Sequence, residues 1–217
     1  ATATFTAVNH CAKALFSVLP NLSNPGSAGS ATLLYSENGV PLSATVGLGL
    51  TTVGPFAAGS EVICTVDNGS PGCIAPQGYV YSTCAVTVQC GTTRTVHHCY
   101  RNFDARTFLF RNSASETLTL TFVSGSMDPN DVVRGYSIDD GAWTPIGGLT
   151  GTFANLAGVA GTSLGDTLYL EIDSNGSNSC ATGQQSSWTI EGDCTPGCVE
   201  PDAVVAVVNN SAASDFS

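Results

Sequence analysis

The stretch TLTLTFVSGSMDPNDVVRGYSIDDG, residues 117–141, decides the fold class. In its first half Thr117, Thr119 and Thr121 alternate with Leu118, Leu120 and Phe122. Only an extended strand sorts such a pattern onto two faces, one polar and one apolar. Its second half ends on Asp140-Gly141, a dipeptide suited to the left-handed backbone of a tight hairpin turn. Strands and a hairpin are therefore expected here, with no helix.

The same reading extends in both directions. TFLFRN (107–112), DTLYLEIDSNG (166–176) and SSWTIEG (186–192) alternate as strands. Upstream, ATATFTAVN (1–9) alternates and KALFSVLPNL (13–22) follows it. ATLLYSENGVPLSATVGLG (31–49) is a hairpin on Asn38-Gly39, and in TVGPFAAGSEVICTVDNG (52–69) a new strand begins at Glu61. YVYSTCAVTV (79–88) reads as the closing strand of this half. Strands about every ten residues, separated by Gly, Pro and Asn, predict a sandwich. The Gly-rich IGGLTGTFANLAGVAGTSLG (146–165) reads as loop or irregular strand. The expected fold is all-β, with two tandem β-sandwiches over residues 1–86 and 87–196. Residues 197–217 are then a linker and the first strand of a further repeat. That last expectation comes from an echo: residues 203–217 agree with residues 3–17 at six of fifteen positions, all at one offset.

Composition narrows the class. Only 11% of the 217 residues are charged, Lys13 is the single lysine, and good helix formers are scarce. A net charge of −11 argues against nucleic acid and against anionic membrane, both of which need basic patches. Nine cysteines, at 11, 64, 73, 84, 90, 99, 180, 194 and 198, read as disulfides of an oxidising compartment. Zinc is the rival, but no C-x₂-C pair occurs, and Cys194 with Cys198 is C-x₃-C. The expected bridges are Cys90–Cys99, Cys180–Cys194, Cys64–Cys73 and Cys11–Cys84, with Cys198 pairing into the next module. No signal-peptide pattern opens the chain and no apolar run reaches a membrane span of about 18 residues. Export is expected to be specified outside these residues, and membrane insertion is not expected.

The phrase GPFAAGSEVICTV (54–66) resembles the corner before a strand in fibronectin type III and immunoglobulin-like modules. LTLTFVSGSMDPNDVVRGYSIDDG (118–141) and LYLEIDSNGSNS with SSWTIEG (168–192) resemble the CUB domain, an extracellular jelly-roll sandwich. The cysteine spacing departs from that family's pattern. The combination resembles large repetitive surface proteins of gliding-type bacteria, exported by the type IX secretion system. The resemblance implies cell adhesion or gliding motility by a secreted, disulfide-stapled fibre on the cell surface. It also implies neighbouring repeats of the same chain and the export machinery in transit as partners. No catalysis is implied. The alternative is a carbohydrate-binding accessory module of a secreted hydrolase.

The CUB resemblance further implies one calcium ion, on Asp128, Asp131, and Asp173 or Asn175. Their hard oxygens suit that cation. Read without it, the same residues are ordinary turn formers. For sugar contact the candidates are Trp143, just after a turn, and Tyr136; Trp188, in an alternating strand, is expected in the core. GTSLG (161–165) fits G-x-S-x-G, but strand residues follow it where a nucleophile elbow needs a helix. His97 and His98 are adjacent on a strand, so they should point to opposite faces. Among Glu116, Asp139, Asp140, Glu171 and Glu191 no carboxylate pair stands out for glycosidase chemistry.

Overall fold

Alternation makes Thr2–His10 the first strand, β1, with Ala3, Phe5 and Ala7 leaning on the core beneath it. The computed structural model describes residues 1–26, 29–69 and 77–194. A 3-10 turn, Cys11–Lys13, reverses the chain into β2 (Leu15–Asn24), antiparallel to β1. Asn38 and Gly39, at φ 48° and 83°, form the expected turn between β3 (Ser30–Glu37) and β4 (Val40–Gly47). The strands β5 (Gly49–Leu50) and β6 (Val53–Ala57) add to β2. On the other sheet β7 (Glu61–Asp67) pairs with β3, and β8 (Gly78–Tyr81) with β7. One sheet thus contains β1, β2, β5 and β6, and the other runs β4-β3-β7-β8. Both contribute to one core that includes Phe16, Val18 and Leu22 from β2, Leu33 from β3, and Val62 and Val66 from β7. Each such side chain, fully buried, contributes about 1.5–3 kcal/mol.

The remaining strands build a second pair of sheets. They are β9 (Val86–Val88), β10 (Arg94–His98), β11 (Thr107–Asn112), β12 (Thr119–Ser124), β13 (Val132–Asp139), β14 (Ala142–Pro145), β15 (Ala160–Thr162), β16 (Thr167–Asp173) and β17 (Trp188–Asp193). One sheet runs β10-β17-β12-β15 and the other β14-β13-β16-β11-β9. Among the described residues β9 with β11 is the only parallel pair. Leu118, Leu120 and Phe122 are fully buried and the threonines between them are not, as the alternation requires. They pack with Phe110, Leu168, Leu170, Trp188 and Ile190. Trp188 satisfies its indole N–H on the Ser126 carbonyl at 3.0 Å. The described residues contain no helix long and apolar enough to cross a membrane.

One local expectation needs correction. YVYSTCAVTV is not one strand: β8 belongs to the first pair of sheets and β9 to the second. Between them Ser82 donates to Asn9 Oδ1 at 2.9 Å and accepts the Cys84 N–H at 2.9 Å, which ends the ladder. The Gly-rich 146–165 stretch resolves into a 3-10 turn, Gly147–Leu149, loops, and the short β15.

Three disulfides are present among the described residues, and they indicate an oxidising, extracytoplasmic compartment. Cys11–Cys84 is as expected, with Cα atoms 5.0 Å apart. The expected Cys90–Cys99 and Cys180–Cys194 are replaced by Cys90–Cys194 and Cys99–Cys180. The physical reason is the antiparallel β10–β17 ladder. Cys90 precedes β10 and Cys194 follows β17, so the ladder brings them to one end, and Cys99 and Cys180 to the other. The Cys64–Cys73 bridge is also corrected: Cys64 is a free thiol in the first core, where burial pushes its pKa up to about 12. A thiol so desolvated is unreactive. Cys73, Cys198 and residues 197–217 lie outside the described residues.

The two sandwiches meet at a buried polar clasp. The turn at residues 58–60 of the first unit presses on the second. Gly59, at φ 90°, has no room for a side chain, since a Cβ would lie 2.9 Å from Val86 and 3.0 Å from Val96. The buried Arg106 guanidinium donates through Nη2 to the Gly59 and Ser60 carbonyls, both at 3.3 Å. Its Nη1 lies 3.1 Å from His98 Nδ1 and 3.8 Å from Glu61 Oε1. Glu61 Oε2 accepts the Cys99 N–H at 3.1 Å, and His98 Nε2 lies 3.0 Å from Asp104 Oδ2. Burial alone would raise both carboxyls; instead the hydrogen bond and charge of His98, with nearby N–H groups and arginines, hold Glu61 and Asp104 below their usual range. Beside the clasp, Arg101 of the second unit lies over the Tyr79 ring of the first, 3.9 Å from its centroid.

Candidate functional site

Along β13, Val133, Gly135 and Ser137 turn inward, so Arg134, Tyr136 and Ile138 share the outer face of the five-stranded sheet. Register extends that face sideways. Tyr136 is opposite Tyr169 on β16 and Pro145 on β14, Ile138 is opposite Trp143, and Arg134 is opposite Glu171. The Asp140-Gly141 turn, at φ 46° and 81°, brings the short edge strand β14 alongside. Trp143 is 55% exposed there. Its ring centroid lies 5.0 Å from that of Tyr169 and 5.8 Å from that of Tyr136, at interplanar angles of 70° and 65°. The three rings form one aromatic patch, with Trp143 exposed and the two tyrosines half-buried. Its border is ionic: Arg134 reaches Asp173 at 2.9 Å and Glu171 at 3.5 Å. Large, amphipathic rings with polar groups at their rim are suited to a ligand that is apolar on its faces and hydroxylated at its edges.

A second cluster lies at the start of β13. Asp128 and Asp131 are both buried. Asp128 Oδ1 accepts the backbone N–H and the amide of Asn130, and Oδ2 accepts the Asn178 amide at 2.8 Å. Those bonds, the Asn130 N–H first, hold its carboxyl below the usual range. Asp131 Oδ1 accepts the Asn175 N–H at 2.7 Å, whereas its Oδ2 is buried with no hydrogen-bond partner. Burial, with the charges of Asp128 and Asp173 adding to it, pushes the Asp131 carboxyl up. The Tyr100 hydroxyl accepts the Asp128 N–H at 3.0 Å, and Ser179 Oγ in the following loop is also buried without a partner.

Of the four candidates for holding calcium, Asp128 and Asp131 lie together, with Asp173 close enough for its charge to act on Asp131 and the Asn175 side chain close to Asp128, but both of these have other partners as well. Asp173 is held by Arg134, and Asn175 Oδ1 accepts from Ser177 at 2.7 and 2.9 Å. Among the described residues no group of three or more His, Cys, Asp or Glu side chains gathers for a metal. The donor chemistry, two carboxylates with one oxygen left bare, still suits a hard cation. Tyr169, Arg134, Tyr100 and Asn178 were missed in the sequence. Tyr169 was findable, because it shares its register with Tyr136 once β13 and β16 are paired. Tyr100 and Asn178 were not, since irregular backbone places both.

The other singled-out residues have structural settings. Trp188 is in the core. His97 faces outward beside Thr189 while His98 turns into the clasp, on opposite faces as expected. Ser163 of the GTSLG stretch is buried; its hydroxyl accepts the Leu118 N–H at 2.8 Å and donates to backbone carbonyls. The chain continues into β16, so this serine fixes a loop. Comparison with known proteins gives no match, either to a family model or to a curated sequence.

Proposed function

We propose that this chain is a non-catalytic, adhesive segment of a secreted surface protein that grips carbohydrate on the outer face of its second sandwich. The observation that carries the reading is the exposed Trp143, gathered with Tyr136 and Tyr169 on the outer face of the five-stranded sheet. A large apolar ring left in water is a candidate contact surface. In this reading the first unit is an immunoglobulin or fibronectin type III-like module and the second a CUB-like one. The clasp and the bridges make a stiff bead, and the echo at residues 203–217 supports an array of such beads. Many weak contacts on one tether then bind tightly. Retention of the full chain on immobilised polysaccharides, wild type against Trp143→Ala, tests the proposal. Loss of most retention in the variant is expected; no retention of the wild type on any glycan refutes it.

The same ring also suits the second reading, an accessory module of a secreted hydrolase. The size of the native polypeptide separates the two: many repeats favour the adhesin, and an attached catalytic domain favours the hydrolase.

We also propose that Asp128 and Asp131, not Asp173, would hold calcium. Bound there, the ion would supply countercharge to the bare Asp131 oxygen and tie β13 to the loop that follows β16. Calcium should raise the unfolding temperature of the wild type and not that of Asp131→Asn; an equal rise in both refutes it.

A further inference from the structure

The six basic side chains of this acidic chain are not used alike. Arg106 and Arg134 face carboxylates, Arg101 lies over Tyr79, and Arg111 donates to Thr167. Lys13 and Arg94 have no ion pair among the described residues, and they line one cavity. It lies between the two sandwiches and measures about 420 Å³, within the size range of ligand sites. Lys13 comes from the turn between β1 and β2, and Arg94 from the start of β10. Thr87, Gln89, Thr92 and Thr93 supply the other polar groups of the wall. Among the described residues no carboxylate side chain lines it.

Both walls are fixed. The Lys13 side is tied by the Cys11–Cys84 bridge and by the Ala58 N–H on the Ala14 carbonyl at 2.7 Å. The opposite side is tied by the Cys90–Cys194 bridge and by the Gly91 N–H on the Cys194 carbonyl at 3.0 Å. Arg94 is itself held in place, donating through Nη2 to the Ala58 carbonyl at 3.3 Å. Among the described residues its remaining N–H groups have no other partner. Arg94 is positioned in advance and the backbone that carries Lys13 is fixed, so the cleft, with neutral hydroxyls and an amide around the two cations, is partly ordered for capture of an anion. In a chain of net charge −11, their convergence without a carboxylate marks a site that selects negative charge locally against the overall field.

We propose that this cleft binds the anionic group of an acidic sugar, a carboxylate or a sulfate ester, as a second glycan contact apart from the aromatic face. The sugar as carrier rests on the carbohydrate reading above; the preference for an anion rests on the cleft alone. The test titrates the full chain with an oligouronate, a sulfated oligosaccharide and a neutral oligosaccharide of matched length, following backbone amide shifts. At least one acidic probe should shift residues 13–15 and 89–94, and the neutral probe should not. Which acidic probe binds tells carboxylate from sulfate. Lys13→Glu changes an exposed side chain with no hydrogen-bond partner, so the fold is retained, and it should weaken acidic binding about tenfold or more. High salt should weaken it likewise. Trp143→Ala should leave it unchanged. Failure of both acidic probes to shift the cleft, or equal affinity of Lys13→Glu and wild type, overturns the proposal. Failure of neutral glycans on the aromatic face, with acidic binding intact, overturns the aromatic reading instead.

Discussion

Replacing Arg106 by methionine keeps most of the aliphatic stem and removes the guanidinium, with its contacts over the Tyr81 and Phe108 rings. What is lost can be read atom by atom. The Gly59 and Ser60 carbonyls lose their donor. Glu61 and Asp104 stay buried with one cation fewer. Breaking a buried charge cluster by removing one member costs about 3–5 kcal/mol, chiefly because the opposite charges remain desolvated. For a chain of this size that is a fall in unfolding temperature of roughly 6–20 °C. The control is Arg134→Met. That arginine also holds two carboxylates, but at the surface, where the same deletion should cost no more than about 1 kcal/mol. Calorimetry on the full chain reads both variants. If the clasp joins the sandwiches, the Arg106 variant should also split one transition into two, because Glu61 and the Gly59 carbonyl lie on one unit and Arg106 on the other. A cost below about 1 kcal/mol for Arg106→Met, or equal costs for the two variants, refutes the clasp as the element that couples the units.

Acid should weaken the same contact. Glu61 and Asp104 have folded pKa values below their ordinary 4.5 and 3.8, so their contribution is complete above those values and disappears as pH falls through the folded ones. Asp131 has the opposite sign: its pKa is raised, so its protonation favours the folded state and offsets part of the loss. Denaturant unfolding across the acid range should show stability falling, and Glu61→Gln should flatten that fall; a profile that rises on acidification contradicts the assignment. Gly59→Ala places a Cβ against Val86 and Val96 at a positive φ and should cost about 1–3 kcal/mol, read by urea unfolding. Removing the Cys99–Cys180 bridge with paired serines should cost about 3–5 kcal/mol, and non-reducing peptide mapping should recover Cys90 joined to Cys194.

Strand identity was legible because its signal is local. The alternation of Thr117 to Phe122 and the Asn38-Gly39 and Asp140-Gly141 turns each carry their own instruction, and each appears as read. Disulfide pairing was not legible, because it depends on which strands become neighbours. Cys90 and Cys99 are near in sequence but stand at opposite ends of β10, so the strand between them holds them apart. Only the β10–β17 pairing, between strands far apart in the chain, decides the partners. The aromatic face was half legible for the same reason: Trp143 and Tyr136 share one hairpin, whereas Tyr169 joins them from another strand. The clasp was invisible. Nothing in RTFLF or GSEV marks Arg106 and Glu61 as partners, since burial of opposite charges is a property of the joint and not of either segment.

That joint decides how an adhesive bead would transmit load. The ladder β10–β17 carries Cys90 and Cys194 at one end and Cys99 and Cys180 at the other, so it is covalently closed at both. His98, the last residue of β10, enters the clasp, and the N–H of the bridged Cys99 donates to Glu61. The clasp is therefore anchored to the stapled edge of the second sandwich. On the first sandwich the matching residues lie in the 58–60 turn and at the start of β7, and the chain crosses between units just after Cys84, which is itself bridged to Cys11. A pull across the joint thus meets the Cys11–Cys84 bridge on one side, and on the other β9, with Val86 and Val88 in the core, and then the Cys90–Cys194 bridge. The anionic-sugar cleft has these same two bridges in its walls, so a ligand there would contact both sandwiches and add to the hold between them. The aromatic face lies on β14, β13 and β16, at the opposite side of the five-stranded sheet from β9 and the joint, so its binding should be insensitive to the clasp. Arg106→Met should then loosen acidic-glycan binding while retention through Trp143 persists, and parallel loss of both would show that the two surfaces are not independent.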